Sequence, residues 1–232
     1  MKSRISDRKK LIVIDIQIES VVKALAMLCA SLITVHVVLT VIHYEISELP
    51  WLVRELFDVD EEESIPTWFS SAILLLASLT LLYLDHVKKM IQDKYQYAWL
   101  GLALGFLFMS VDEVAGFHET VNSVISYSWA ILGLIVATVI FGIYSRFLWS
   151  LPASIAARFI LAGAIFVGGA VGVELATEPY LYNDELDTLG YNLWTAVEEA
   201  MEMGGVIYFL SVLSQYASSL VKPTLSLELR ST

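Results

Sequence analysis

Seven acidic residues lie within stretches of this sequence that are otherwise apolar, and they are the residues best placed to perform chemistry. They are Asp112, Glu113, Glu119, Glu174, Glu198, Glu199 and Glu202. Ionisable side chains inside a bilayer are costly, and they usually mark an ion, proton or substrate site. The sequence therefore predicts a functional site built from these carboxyl groups.

The densest acidic motif occupies residues 110–119. On a continuous helix, Asp112 and Glu119 are seven positions apart and share a face, and Glu113 lies about a quarter-turn away. The spacing predicts that these three carboxyls point into the protein. His118 joins them only if the helix bends or the cavity is wide, and an interfacial histidine bonded to a loop is the alternative.

Glu174 follows a stripe of small residues at every fourth position. The stripe consists of Ala164, Gly168 and Gly172. Small residues at this spacing let two membrane helices approach closely. The pattern predicts close helix packing beside Glu174, and it offers a contact for a second copy of the chain or for another membrane protein.

The last apolar segment carries three glutamates, and the first carries two histidines. Glu198 and Glu202 share a helical face, and Glu199 lies beside them. For His36 the sequence predicts an interhelical hydrogen bond. His43 has a depth in the membrane similar to that of the acidic residues, so we expect it to supply an imidazole to the site.

The predicted site lacks compensating positive charge, because no Lys or Arg falls in the outer halves of the apolar segments. Protonated carboxyls, a water-filled cavity or a bound cation would each remove the cost of unpaired charge. Mixed carboxylate and imidazole ligands suit zinc, iron or manganese, and carboxylates alone suit calcium or magnesium. The predicted ligands of a divalent metal are His43, Asp112, His118, Glu119, Glu174, Glu198 and Glu202. Glu113 and Glu199 are the predicted catalytic carboxylates.

Composition predicts an integral membrane protein. Hydrophobic residues make up 57% of the 232 residues, charged residues make up 17%, and the mean hydropathy is +0.68. The apolar runs reach about 20 residues or more, the length with which a helix crosses a bilayer. We predict an all-α bundle of six transmembrane helices. These cover residues 21–45, 67–86, 96–121, 128–149, 154–178 and 191–215.

Basic residues set the predicted topology, because loops rich in Lys and Arg stay in the cytoplasm. With both termini inside, thirteen of the fourteen basic residues are cytoplasmic and Arg54 is the exception. The chain then comprises a cytoplasmic or interfacial segment 1–20, a membrane domain 21–215 with an acidic outer loop 46–66, and a cytoplasmic tail 216–232. The predicted location is the bacterial cytoplasmic (inner) membrane. A net charge of −11 excludes nucleic acid as a partner and leaves membrane lipid.

Two motifs resemble an uncharacterised bacterial family of multipass membrane proteins. They are Phe57-Asp58 with Ile-Pro-Thr-Trp-Phe-Ser at 65–70, and residues 110–119. In layout only, the chain is similar to membrane-embedded zinc hydrolases of the ceramidase and progestin-receptor type. That likeness implies a zinc site in which Ser110 and Asp112 take part, whereas this chain offers two candidate histidines in place of a histidine-rich site.

Several functions remain open on the sequence. The cytoplasmic halves of the third and sixth segments are apolar, so no polar relay joins the site to the cytoplasm. This favours a one-sided site, either in a metal-dependent hydrolase acting on membrane lipid or in a sensing or interaction subunit. A proton- or cation-linked transporter is the alternative, and it would need a site open to each face in turn. A haem held between His43 and His118 is a further possibility.

Overall fold

The computed structural model describes residues 18–117 and 129–220, and every regular element within these ranges is helical. In chain order the elements are α1 (Ile18–Glu45), α2 (Trp51–Phe57), α3 (Ile65–Met90), α4 (Gln96–Ala115), α5 (Trp129–Ser150), α6 (Ala153–Val167), a π-helical segment (Gly168–Val173), α7 (Glu174–Tyr182) and α8 (Leu189–Leu220). The all-α prediction is confirmed for the described residues.

Five helical stretches are long and apolar enough to cross a membrane. They are Glu19–Glu45, Ile65–Met90, Gln96–Ala115, Ala130–Ser150 and Ala153–Tyr182, the last combining α6, the π-helical segment and α7. The sixth predicted span falls on α8, which is 32 residues long and carries three glutamates in its outer half. The described residues thus contain five helices of membrane-spanning length and composition, and the six-span topology stays a prediction.

Local sequence signals set the ends of α3 and α4. The Ser64 hydroxyl accepts a hydrogen bond from the Thr67 N–H at 3.2 Å, and Pro66 lies in the first turn, as helix-start chemistry predicts. Helix α4 ends at Ala115 because Gly116 adopts a left-handed conformation with φ of 56°. The predicted continuous span 96–121 is therefore interrupted at Gly116, and its residues 118–121 lie outside the described residues.

Serine hydroxyls join α3 to α4 within the bundle. Ser71 Oγ donates to the Ser110 carbonyl at 2.7 Å, and Ser110 Oγ donates to the Ser71 carbonyl at 2.9 Å. Further along the same pair, Ser78 Oγ donates to the Ala103 carbonyl at 2.8 Å. Such bonds satisfy the hydroxyls internally where neighbouring groups are apolar. They fix the position of the C-terminal end of α4, which carries Asp112 and Glu113, relative to α3.

The two ends of the bundle differ in charge and in core composition. The basic end carries Lys88, Lys89, Lys94, Arg146 and Arg158. Its core is aromatic, since Trp99 stacks on Tyr216 with ring centroids 5.5 Å apart and meets Phe147 edge-on at 4.9 Å. The opposite end, termed the acidic end, holds the α2–α3 loop, the end of α4, and α7 with the start of α8. A second apolar core, which includes Ile73 and Met203, lies between α1, α3 and α8.

Asp93, in the turn between α3 and α4, makes the stability of the basic end depend on pH. Burial raises the pKa of Asp93, but the Tyr95 N–H at 2.8 Å and the Lys88 ammonium at 3.0 Å lower it, and the net pKa lies below its ordinary value. A carboxyl with a lowered pKa stabilises the fold above its unfolded pKa, and this contribution is lost as pH falls through the folded pKa.

We expect Asp93→Asn to lower the free energy of unfolding by about 1 kcal/mol at neutral pH, because it removes a charge-assisted hydrogen bond. The difference from the parent should shrink as pH falls below about 4, where the parent carboxyl also becomes neutral. Thermal unfolding in matched detergent across this pH range measures it, with the exposed Asp184→Asn as the control. A difference that does not change with pH would contradict the assignment.

Candidate functional site

Six carboxyl groups form one electrostatically connected set at the acidic end. This acidic cluster consists of Asp60, Glu113, Glu174, Glu198, Glu199 and Glu202. Glu199 interacts with Glu202, Glu113, Glu198 and Asp60, in decreasing order of strength. Glu202 interacts with Glu113, Glu198 and Glu174. The structure thus brings together carboxyls from α4, α7, α8 and the α2–α3 loop.

Helix α8 supplies half of the cluster. Glu198 and Glu202 are one turn apart, and Glu199 lies beside them on the adjoining face. All three side chains are partly buried rather than fully solvated. The next buried residue toward the basic end is Met203, which has no exposed surface and belongs to the apolar core. The carboxyls therefore lie at the boundary between a polar outer region and a dry interior.

The π-helical segment before Glu174 packs its own backbone closely against α8. A Cβ atom added at Gly169 would lie 2.8 Å from the Glu198 carbonyl oxygen and 3.1 Å from Glu202 Cγ. Only glycine permits that approach. The wider π turn changes the helical phase, so that Glu174 at the start of α7 enters the cluster, and π turns of this kind are frequent at functional sites.

The small-residue stripe predicted beside Glu174 has a different geometry from the one expected. Gly168 approaches only the flexible end of Met201, with an added Cβ 2.9 Å from its Cε. Ala164 and Gly172 are exposed, and an added Cβ at Gly172 would meet nothing within 4 Å. The close packing instead involves Gly169, because the π turn moves the contact by one residue.

Helix α4 contributes Glu113 to the cluster at its last turn. Asp112 is also partly buried, and its backbone carbonyl accepts the Gly116 N–H at 2.8 Å to close the helix. The helix stops before Glu119, so the predicted shared face of Asp112 and Glu119 does not follow from helical spacing. Glu119 and His118, both predicted metal ligands, lie outside the described residues.

The α2–α3 loop packs partly on the bundle, although Asp60, Glu61 and Glu63 are exposed. Val59 is 4% exposed and Ser64 is fully buried, so the loop packs on the bundle. Asp60 interacts electrostatically with Glu199. The Glu62 carboxyl lies directly against Gly116, where any Cβ would overlap it. The alternating acids ahead of the Ser64 cap were the signal for this packing.

The two histidines of α1 have separate structural roles. His36, 2% exposed, accepts the Val59 N–H at Nδ1 (3.3 Å), and its Nε2 lies 3.4 Å from the Asn192 carbonyl of α8. This confirms the predicted interhelical hydrogen bond. His43 accepts the Leu49 N–H at Nδ1 (3.1 Å), and its Nε2 lies 3.0 Å from Arg54 Nη1.

Both ring nitrogens of His43 therefore contact the outer loop rather than the carboxyls, which differs from its predicted role as a metal ligand. The reason is Arg54, a basic residue at the acidic end. Its guanidinium also lies 3.8 Å from the Asp187 carboxylate and over the Tyr44 ring. The sequence analysis noted Arg54 only as the exception to the predicted topology and assigned it no contact.

The described part of the cluster is not a preformed metal centre. Within residues 18–117 and 129–220, no group of three or more His, Cys, Asp or Glu side chains has the geometry to hold a metal ion. The cluster nevertheless concentrates oxygen donors of one charge sign. Its chemistry suits protons or a hydrated cation whose remaining ligands are water molecules.

The chain belongs to the family described as "Domain of unknown function (DUF8692)", whose family model matches residues 24–216. No curated protein and no solved structure matches the chain. The matched range begins within α1 and ends near the end of α8, so it contains the whole acidic cluster.

Gly169 and Gly172 offer a direct test of the close approach to the acidic cluster. Gly169→Ala should lower the free energy of unfolding by about 1–3 kcal/mol, because the new Cβ collides with backbone atoms of α8. Gly172→Ala in the same π-helical segment should be neutral or stabilising by up to about 1 kcal/mol, since it meets open space.

Thermal unfolding of both variants in matched detergent measures the difference. Gly172→Ala serves as the control, because it lies in the same π-helical segment and adds the same methyl group. Equal stabilities for the two variants would contradict the close packing of the π-helical segment on α8.

Proposed function

We propose that this protein is a multipass membrane protein that binds a cation at its acidic cluster, on the outer side of the membrane. The observation that carries the proposal is the mutual interaction of carboxyls from four chain segments. Every electrostatic neighbour described for Glu199 and Glu202 is another carboxyl. Like charges held this closely need protons or a cation to offset their repulsion.

The proposed topology has six spans, with α8 as the sixth and both termini in the cytoplasm. The basic end of the bundle then faces the cytoplasm, as the distribution of Lys and Arg requires. The acidic cluster opens to the outside. In a bacterium this orientation corresponds to the cytoplasmic (inner) membrane.

The proposed ligand is a divalent metal. The described members of the cluster offer only carboxylate oxygens, and His43 is engaged by the outer loop. Oxygen donors favour calcium or manganese over zinc or iron. Because the described residues hold no ready three-ligand group, water molecules would supply part of the coordination. His118 and Glu119 remain the other proposed ligands.

A second candidate function follows from the observation that, among the described residues, no three potential ligands are arranged to hold a metal ion. Carboxyls that share protons relieve their repulsion without any metal. In that case the cluster would load and release protons in a proton-linked transporter or in a sensor. The two candidates differ in one measurable property, the presence of bound metal.

An enzymatic role would make the protein a metal-dependent membrane hydrolase. The bound metal would lower the pKa of a coordinated water. Glu113 or Glu199 would act as general base, since both lie inside the cluster and neither is among the proposed ligands. The proposed substrate is a membrane lipid, because the cluster lies beside the hydrocarbon core.

The metal proposal is tested by stoichiometry. Protein purified without chelators should contain bound metal, and Glu202→Gln or Glu113→Gln should lose at least about tenfold in affinity, because each change removes a central negative charge of the cluster. Mass spectrometry of metal content and titration with Ca²⁺ and Mn²⁺ provide the measurement. The matched control is Glu63→Gln, an exposed residue of the α2–α3 loop that also carries Asp60. This variant should bind metal normally.

Glu62 is unsuitable as that control because its carboxyl packs against Gly116. A folded, monodisperse parent that binds neither metal would reject the divalent-metal proposal. It would leave proton sharing as the function of the acidic cluster. Loss of binding in Glu63→Gln as well would mean that the effect is a general one of surface charge.

The orientation has its own test on a background in which the buried Cys29 is replaced, Cys29→Ala. Glu185→Cys should react with an impermeant maleimide on intact cells, because residue 185 is exposed and follows the proposed outer end of α7. Lys94→Cys, exposed at the basic end, should react only after the cells are opened. The reverse labelling pattern would overturn the outward orientation of the acidic cluster.

A further inference from the structure

The short helix α2 presents an apolar face that no described part of the chain covers. Trp51 is 71% exposed, Leu52 is 64% exposed and Leu56 is 41% exposed. Ile46, just before the helix, is 73% exposed. A soluble surface rarely displays a patch of large apolar side chains this dense, and such a patch marks an interaction site.

The position of α2 in the chain identifies what covers this face. The helix begins six residues after the span Glu19–Glu45 ends and finishes shortly before the span Ile65–Met90 begins. Both neighbouring ends lie at the acidic end, so α2 lies at the level where the hydrocarbon stops. Trp68, in the first turn of α3, is 62% exposed at the same level. Tryptophan is enriched at this boundary.

The opposite face of α2 carries Arg54 and Phe57 and is bound to the bundle. Arg54 Nη1 lies 3.0 Å from His43 Nε2, and Arg54 Nη2 lies 3.8 Å from the Asp187 carboxylate. The Leu49 N–H also bonds to His43. A cavity of about 10 Å³, room for one water, separates α2 from α1 and is lined by polar groups that include Asn192. The basic side chain therefore points inward while Trp51 and the leucines point outward.

We propose that α2 is an interfacial helix whose Trp51, Leu52 and Leu56 insert into the outer leaflet at the boundary between headgroups and acyl chains. An amphipathic helix with this division of faces binds in the plane of the interface. The bilayer is the occupant because the helix is continuous with two membrane-spanning helices at its own level. The proposal rests on the membrane orientation within the proposed function and not on cation binding.

Insertion of α2 positions the loop that carries part of the acidic cluster. Asp58 follows the helix directly, and its carboxylate accepts the Asp60 N–H at 3.2 Å. Between them, the Val59 N–H is bound to His36. The membrane contact of α2 and the interaction of Asp60 with Glu199 are therefore separated by only a few residues. The interfacial helix holds the outer wall of the cluster in place.

The test uses single-cysteine proteins on the Cys29→Ala background, labelled with the fluorophore NBD and reconstituted in phosphatidylcholine vesicles. Leu52→Cys is the test position, and Glu48→Cys, exposed in the preceding turn, is the control. Lipids with a nitroxide near the top of the acyl chain should quench the label at 52 about twofold more strongly than the label at 48. Aqueous iodide should give the opposite order.

Equal iodide quenching at both positions would overturn the proposal, because α2 would then face water. Protection of position 52 from both iodide and nitroxide lipid would also overturn it, because a protein would then cover the helix. Leu56→Cys repeats the measurement on the same face if Leu52→Cys fails to fold. No metal is added, so failure here is distinct from failure of cation binding.

Discussion

The repulsion among six neighbouring carboxyls is the constraint on which the outer half of the structure depends. Charges of one sign are costly at the edge of a low-dielectric interior, and the cost rises as they approach one another. The chain nevertheless holds Glu199 and Glu202 close together and brings Glu113 to both. A fold keeps such an arrangement only if other contacts in the protein hold the carboxyl groups in place.

Three features outside the acidic cluster provide that geometry. The serine bonds between α3 and α4 fix the turn that carries Glu113. The π-helical segment brings Gly169 against the backbone of α8 and rotates Glu174 into the cluster. The loop bearing Asp60 is held through His36, which bonds to both the loop and α8. Each feature uses hydrogen bonds or close packing between chain segments.

Periodicity and length were enough to predict the long helices but not α2, which lies within the predicted outer loop, and the Ser64 cap marks the start of α3. The pairing of Glu198 with Glu202 also followed from helical spacing. Helical periodicity assumes a rotation of about 100° for every residue, so it could not predict places where the backbone departs from an ideal α-helix. Gly116 ended α4 early, and the π turn moved the packing to Gly169. Periodicity also could not show contacts between distant segments, such as the bond from the Val59 N–H to His36 that holds the loop against the bundle.

The interior below the acidic cluster bears on the choice between candidate functions. Along α8, the buried side chains after Glu202 include Met203, Val206, Leu210 and Leu213, and these four are apolar. The aromatic core around Trp99 then closes the basic end. An ion or proton moving from the cluster toward the basic end would have to cross this apolar region, and a transporter would need to open it. The proposed site, which binds and releases its cation on one side, requires no such rearrangement.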